Sequence, residues 1–119
     1  MAQQMILKKQ MTRLRENGKK SARTGDGSNH TPVVKFFTPD AGATWLISEI
    51  DESGDIMFGL CDLGHGSPEL GYVSLSELEG VRGPLGLKVE RDIHFEASGT
   101  MKQYSDAARR AGEIVEKLG

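Results

Sequence analysis

Apolar positions along the chain change period several times, and each change marks an element. Between Met1 and Gly18, Met5, Leu7, Met11 and Leu14 recur near helical spacing, with Lys8, Lys9, Arg13 and Arg15 on the other faces. This predicts a short amphipathic helix. Asn17-Gly18 reads as its stop, because both residues tolerate the left-handed conformation of a C-terminal cap. Lys19 to His30 is rich in Gly, Ser, Asn and charge. Such a stretch buries too little apolar surface to offset chain entropy, which predicts a mobile linker over 19–30.

Period-two patterns follow. Val33–Thr38 is dominated by β-branched and aromatic residues and reads as a strand; Pro39-Asp40-Ala41-Gly42 reads as a turn. Ala43–Ile50 is a second strand, with Trp45, Ile47 and Glu49 on one face and Thr44, Leu46, Ser48 and Ile50 on the other. The acidic turn Asp51–Asp55 leads to a third strand, Ile56–Leu63, and short turns between the three predict an antiparallel meander. Gly64-His65-Gly66-Ser67-Pro68 is a loop, and Glu69–Leu75 a fourth strand with Leu70 and Tyr72 opposite Val73 and Leu75. Ser74-Leu75-Ser76-Glu77 has the form of a capping box and predicts a short helix near Ser76–Val81. Leu87–Phe95 alternates as a fifth strand, with Arg91 the one charge on its apolar side. Ser98-Gly99-Thr100 opens a last helix to Leu118, striped by Met101, Tyr104, Ala108, Ala111, Val115 and Leu118. The expectation is an α+β fold: an antiparallel sheet of about five strands, the C-terminal helix packed on one face, and a short N-terminal helix. Residues 1–18 form the basic helix, 19–30 the linker and 31–119 the domain.

Composition narrows the class. A chain of 119 residues, 37% hydrophobic and 27% charged, suits one globular domain. No apolar run approaches the ~20 residues of a membrane span. Met5-Ile6-Leu7 is followed at once by Lys8-Lys9, unlike a secretory signal, and a single cysteine, Cys61, excludes an internal disulfide. A cytoplasmic protein is expected. Charge is unevenly spread: residues 1–30 carry seven Lys/Arg against Glu16 and Asp26, a net +5, while the remainder carries eight basic and fifteen acidic residues, a net −7. A basic arm on an acidic body suggests nucleic-acid contact through Lys8, Lys9, Arg13, Arg15, Lys19 and Lys20. Against it, the body repels phosphate and the arm has no aromatic residue for base stacking.

Candidate chemistry is sparse. His65 lies between glycines near Asp62 and Glu69, where an imidazole beside carboxylates could act as base or ligand, but no spacing matches a metal motif. Cys61 sits in an apolar strand, where cysteine is ordinarily a small buried hydrophobe. Were the protein an enzyme, a small hydrolase or transferase, Asp62, Glu69, Asp92 and His94 would carry the reaction. A binding surface is expected from Asp40, Trp45, His65, Glu69, Tyr72 and Arg91. No cofactor and no metal is implied.

The segments Pro32–Leu46, Phe58-Gly59-Leu60-Cys61-Asp62-Leu63-Gly64, Pro68–Leu78 and Arg91-Asp92-Ile93-His94-Phe95 resemble a family of short bacterial proteins catalogued as domain of unknown function 2958. The resemblance covers nearly the whole chain; it implies a bacterial accessory protein of plasmids or integrated mobile elements, and it does not imply an enzyme. His65 stands where the family more often has an apolar residue, which weakens it as a catalyst. The expected function is therefore a non-enzymatic binding or regulatory module acting through protein contacts, with the carboxylate/His enzyme and the nucleic-acid factor as rivals.

Overall fold

Strands that are apolar on both faces need cover on both, and the chain supplies a helix for each. The structure, a computed structural model, describes residues 4–27 and 29–118. It contains α1 (Lys8–Thr24), β1 (Val34–Phe37), β2 (Thr44–Ile50), β3 (Ile56–Asp62), β4 (Glu69–Ser74), α2 (Leu75–Gly80), β5 (Glu90–Arg91) and α3 (Met101–Ala111). The sheet order is β4-β3-β2-β1-β5, antiparallel at every pairing. The α+β sheet with a helix-covered face is as expected.

On one face, Val34, Phe36, Trp45, Ile47, Ile50 and Met57 pack with Leu14 of α1, Leu78 of α2 and Val89. On the other, Leu46 and Leu60 lie beneath Met101, Tyr104 and Ala108 of α3. Each such large side chain, removed from water, contributes about 1.5–3 kcal/mol.

The N-terminal helix differs from expectation. It does not stop at Asn17-Gly18 but runs through Lys19–Thr24, part of the expected linker, and closes at Gly25, whose φ of 73° is the left-handed cap. Gly25 N–H donates to Ser21 O at 2.7 Å. Asn17 and Gly18 sit mid-helix because they serve packing. Asn17 Nδ2 donates to Ser48 O at 2.9 Å. A Cβ at Gly18 would fall 2.4 Å from Ile50 O. A signal that looks like a stop is the contact that lets helix and strand backbones meet. Ser28, in the remainder of the expected linker, lies outside the described residues.

Two further boundaries move. The β2–β3 register shifts between Ile47 and Glu49, so Ser48 is the extra residue of a bulge. The bulge reverses parity and turns Ile50 onto the face of Trp45 and Ile47, against the simple alternation. β5 shrinks from the expected Leu87–Phe95 to two residues, because Asp92 Oδ1 accepts His94 N–H at 2.9 Å and Phe95 N–H turns back to Asp92 O. That Asx turn lifts the chain off the sheet and leaves Ile93 exposed, while Leu87, exposed before β5, closes the separate turn in which its O accepts Gly83 N–H. α3 ends at Ala111 rather than Leu118, at Gly112 with φ 77°. Ala111 is exposed; Ile114 and Leu118 reach the α3-side core from the segment beyond the helix.

Caps fix the remaining ends. Thr100 Oγ1 accepts Gln103 N–H while Gln103 Oε1 accepts Thr100 N–H, a reciprocal capping box. Ser74 caps α2 by accepting Glu77 N–H. Asp55 accepts Ser74 Oγ–H at 2.7 Å and Ser76 N–H at 2.9 Å. The bond from Ser74, then that from Ser76, hold the Asp55 carboxyl below the ordinary aspartate range.

Gly18→Ala tests the helix contact. Alanine raises helix propensity by about 0.8–1 kcal/mol, but its methyl meets the Ile50 carbonyl. A net destabilisation of about 1–3 kcal/mol, the usual cost of overpacking, is expected in urea denaturation. A stabilised variant would show that α1 stands further from β2.

Candidate functional site

The polar cluster that the chain assembles in space is one that no spacing along it displays. Ser21 projects from the last turn of α1, Glu49 from the bulged end of β2 and His30 from the segment between α1 and β1. Ser21 Oγ donates to Glu49 Oε2 at 2.7 Å and lies 2.9 Å from His30 Nε2. Because the serine proton is directed at Glu49, His30 Nε2 is the donor in the second bond. In this arrangement the network orients a carboxylate. His30 O is fixed in turn by the N–H of Met101 at 2.7 Å, which ties the cluster to α3.

This carboxylate borders a cleft of about 310 Å³ lined by Gly18, Ser21, Gly25, Gly27, Ile56, Phe58 and Tyr72 among others. Its aromatic wall follows from sheet register: Glu49 pairs with Phe58, and Phe58 with Tyr72. The two rings lie 5.1 Å apart at 57°, a tilted pair. Tyr72 is 75% exposed, and Ile56 and Leu70 on the same face are also exposed. The buried side chains of α3 meet Leu46 and Leu60, so this end of the face has no comparable cover. β4 is an edge strand, paired on one side only by β3.

The residues expected to carry function are distributed otherwise. Asp62 is buried, its Oδ1 accepting Gly64 N–H and its Oδ2 accepting Ile114 N–H, both at 2.9 Å. It pins the segment after α3 to the end of β3. Asp92 and His94 border a second cleft of about 470 Å³, where Asp92 pairs with Lys35 at 3.4 Å and Lys35 with Glu116 at 3.1 Å. β3 and β5 are separated by β2 and β1, so Asp62 and Asp92 stand roughly 14 Å apart at ~4.8 Å per strand spacing. Glu69, on the far edge strand, is further still and borders a cleft with Arg109. The four expected catalytic residues thus form no single cluster. Among the described residues, no group of three or more His, Cys, Asp or Glu is placed to hold a metal ion.

The expected binding residues likewise do not share one surface. Trp45 is in the α1-side core. Asp40 turns inward: its Oδ2 accepts Leu85 N–H at 2.8 Å and lies 3.4 Å from Leu87 N, while its Oδ1 is buried with no hydrogen-bond partner among the described residues. Arg91 Nη1 donates to Gln4 O, an exposed bond that ties β5 to the segment before α1. His65 is exposed on its loop, and Tyr72 alone of the set joins the aromatic wall. Burial pushes the Cys61 thiol up, which favours the protonated form over a nucleophilic thiolate.

The basic residues form a surface of a different kind. Lys8, Lys9, Arg13, Arg15, Lys19, Lys20 and Arg23 are all exposed. At 3.6 residues per turn they occupy the arc opposite buried Leu14, over about 22 Å of helix. Arg15 Nη1 donates to Glu52 O at 3.0 Å. The other six have no ion-pair partner among the described residues. Lys19, Lys20 and Arg23, expected in the linker, continue the array of the helix.

Asp62→Ala should release the C-terminal segment. Losing both bonds leaves two partly buried N–H groups unpaired, at about 1–3 kcal/mol each for full burial. Amide exchange at Gly64 and Ile114 should rise well above that elsewhere; a uniform rise would assign Asp62 no local role.

A family model matches residues 5–115: that of DUF2958, described as a protein of unknown function. No curated protein and no solved structure matches the chain. Among the described residues, no helix is long and apolar enough to cross a membrane.

Proposed function

We propose that this chain, which belongs to the DUF2958 family, is a non-enzymatic accessory module that works by contacting another protein through the open β4 side of its sheet. The observation that carries this reading is Tyr72, 75% exposed and in a tilted ring pair with Phe58, with Ile56 and Leu70 exposed on the same face. Large apolar groups left together on one rigid surface favour a partner that removes them from water. Tyrosine is enriched at such contacts because it buries much area at low entropic cost. The edge strand adds backbone N–H and C=O groups that a partner strand can pair. A role on a bacterial mobile element rests on the resemblance of the sequence alone. The test is a photo-crosslinking amino acid at Tyr72, and at Glu79 as an exposed control, in the bacterial host. A discrete adduct from position 72 and none from 79 is expected. No adduct, or equal adducts, would refute the surface.

A second reading has its own observation, the seven exposed cations on one arc of α1. A rigid array without aromatic side chains suits the phosphates of a duplex better than unstacked bases. Binding to a 20-bp duplex of arbitrary sequence should be weak, with a log–log salt slope of about −3 to −5 for contacts to most of the array. The triple change Lys9→Glu, Arg13→Glu, Lys20→Glu should abolish it in fluorescence anisotropy. Tight binding that survives ~0.3 M salt, or unchanged binding by the triple variant, would contradict a phosphate contact.

A further inference from the structure

Glu49 has one electrostatic demand unmet. Its side chain is half-buried and its Oε2 accepts Ser21 Oγ–H, yet among the described residues it has no lysine, arginine or histidine within ion-pairing distance. Oε1 receives no hydrogen bond from those residues. The chain holds this group where it is. Gly27 packs so closely that a Cβ there would fall 2.2 Å from Oε2, and His30 fixes Ser21 from the other side.

The surroundings define what would satisfy the carboxylate. Phe58 and Tyr72 stand beside it in sheet register, and the 310 Å³ cleft places their rings, the Glu49 carboxylate and Asp51 along one opening. Gly18, Ser21, Ala22 and Gly25 line the cleft from the side of α1, and Gly27 packs against Glu49 and Phe58. Two acidic residues repel an anion. Aromatic faces favour an alkyl stem and attract a cation through the ring quadrupole. A buried-end charge with a flexible apolar stem is the chemistry of a basic side chain.

We propose that this cleft receives a lysine or arginine side chain of the protein partner, its cation on Glu49 and its stem against Phe58 and Tyr72. This rests on the protein-contact reading and gives that contact its specificity: the partner segment lies over the open face of β4 and β3, and its basic residue reaches past Tyr72 and Phe58 to Glu49 on β2.

The test uses the full chain and three probes: N-acetyl-lysine methylamide, N-acetyl-arginine methylamide and the neutral isostere N-acetyl-norleucine methylamide. NMR titration should give saturable shifts at Gly27, Glu49, Phe58 and Tyr72 with the two cations. The norleucine probe should bind at least about tenfold more weakly, the scale of one lost charge-assisted hydrogen bond. Glu49→Gln keeps an acceptor for Ser21 and should lower affinity for the cations by about the same factor. Tyr72→Ala removes one ring of the pair with Phe58 and should weaken both cations, measured at a temperature where the variant is fully folded. Equal response to norleucine, unsaturable shifts, or unchanged affinity in Glu49→Gln would overturn the proposal. A Tyr72 crosslink that persists undiminished in Glu49→Gln would overturn the cation site and leave the contact surface standing. Saturable, charge-dependent binding without any crosslink would support the cation site and remove the contact surface.

Discussion

The close approach of α1 to β2 is the constraint on which the rest depends. Gly18 lets the helix backbone come against the carbonyl of Ile50, and Asn17 spans to Ser48 O beside it. The bulge at Ser48 turns Ile50 toward that helix. Without the bulge Ile50 would face the other way and the α1-side core would lose a buried side chain. Without the glycine the helix would have to ride outward over a methyl. The same contact fixes the end of α1, so Ser21, Gly25 and Gly27 are delivered to the end of β2 where Glu49 emerges.

The second consequence is charge segregation on a rigid frame. Because Leu14 and Gly18 face the sheet, the seven cations must face water. Among the described residues, the basic side chains of the helix make no ion pair with the acidic body, and Arg15 donates to Glu52 O. An array held in this way presents its field without first ordering a flexible arm, which lowers the entropic cost of meeting a polyanion.

The polar residues divide by what surrounds them. Asp40, Asp55 and Asp62 each accept backbone N–H groups from loops distant in sequence. Their carboxylates replace missing ladder bonds and hold loop 83–87, the start of α2 and the segment after α3. Backbone groups in loops need partners once they approach the core, and aspartate supplies two acceptor oxygens on a short stem. Glu49 differs because, among the described residues, it accepts no backbone N–H; its hydrogen bond comes from Ser21 Oγ.

Local pattern determined a good deal. Alternation in Val33–Thr38, Ala43–Ile50 and Glu69–Leu75, punctuated by Gly/Pro turns, was sufficient for an antiparallel meander and for the opposed faces of Tyr72 and Val73. The capping residues Ser74 and Thr100 marked two helix starts. The single cysteine in an apolar strand identified a thiol shielded by its surroundings. Tertiary structure decided the rest, since each outcome needed a partner distant in the chain. Asn17-Gly18 is a stop only if nothing packs there; Ile50 decides otherwise. Leu87–Phe95 alternates like a strand, but the Asx turn at Asp92 ends the pairing after two residues. The stripe through Val115 and Leu118 is periodic, yet Gly112 turns the chain before it. The Ser21–His30–Glu49 cluster was invisible for the same reason. Its members lie nine and nineteen residues apart with no motif spacing, and only the docking of α1 across the end of β2 brings them together.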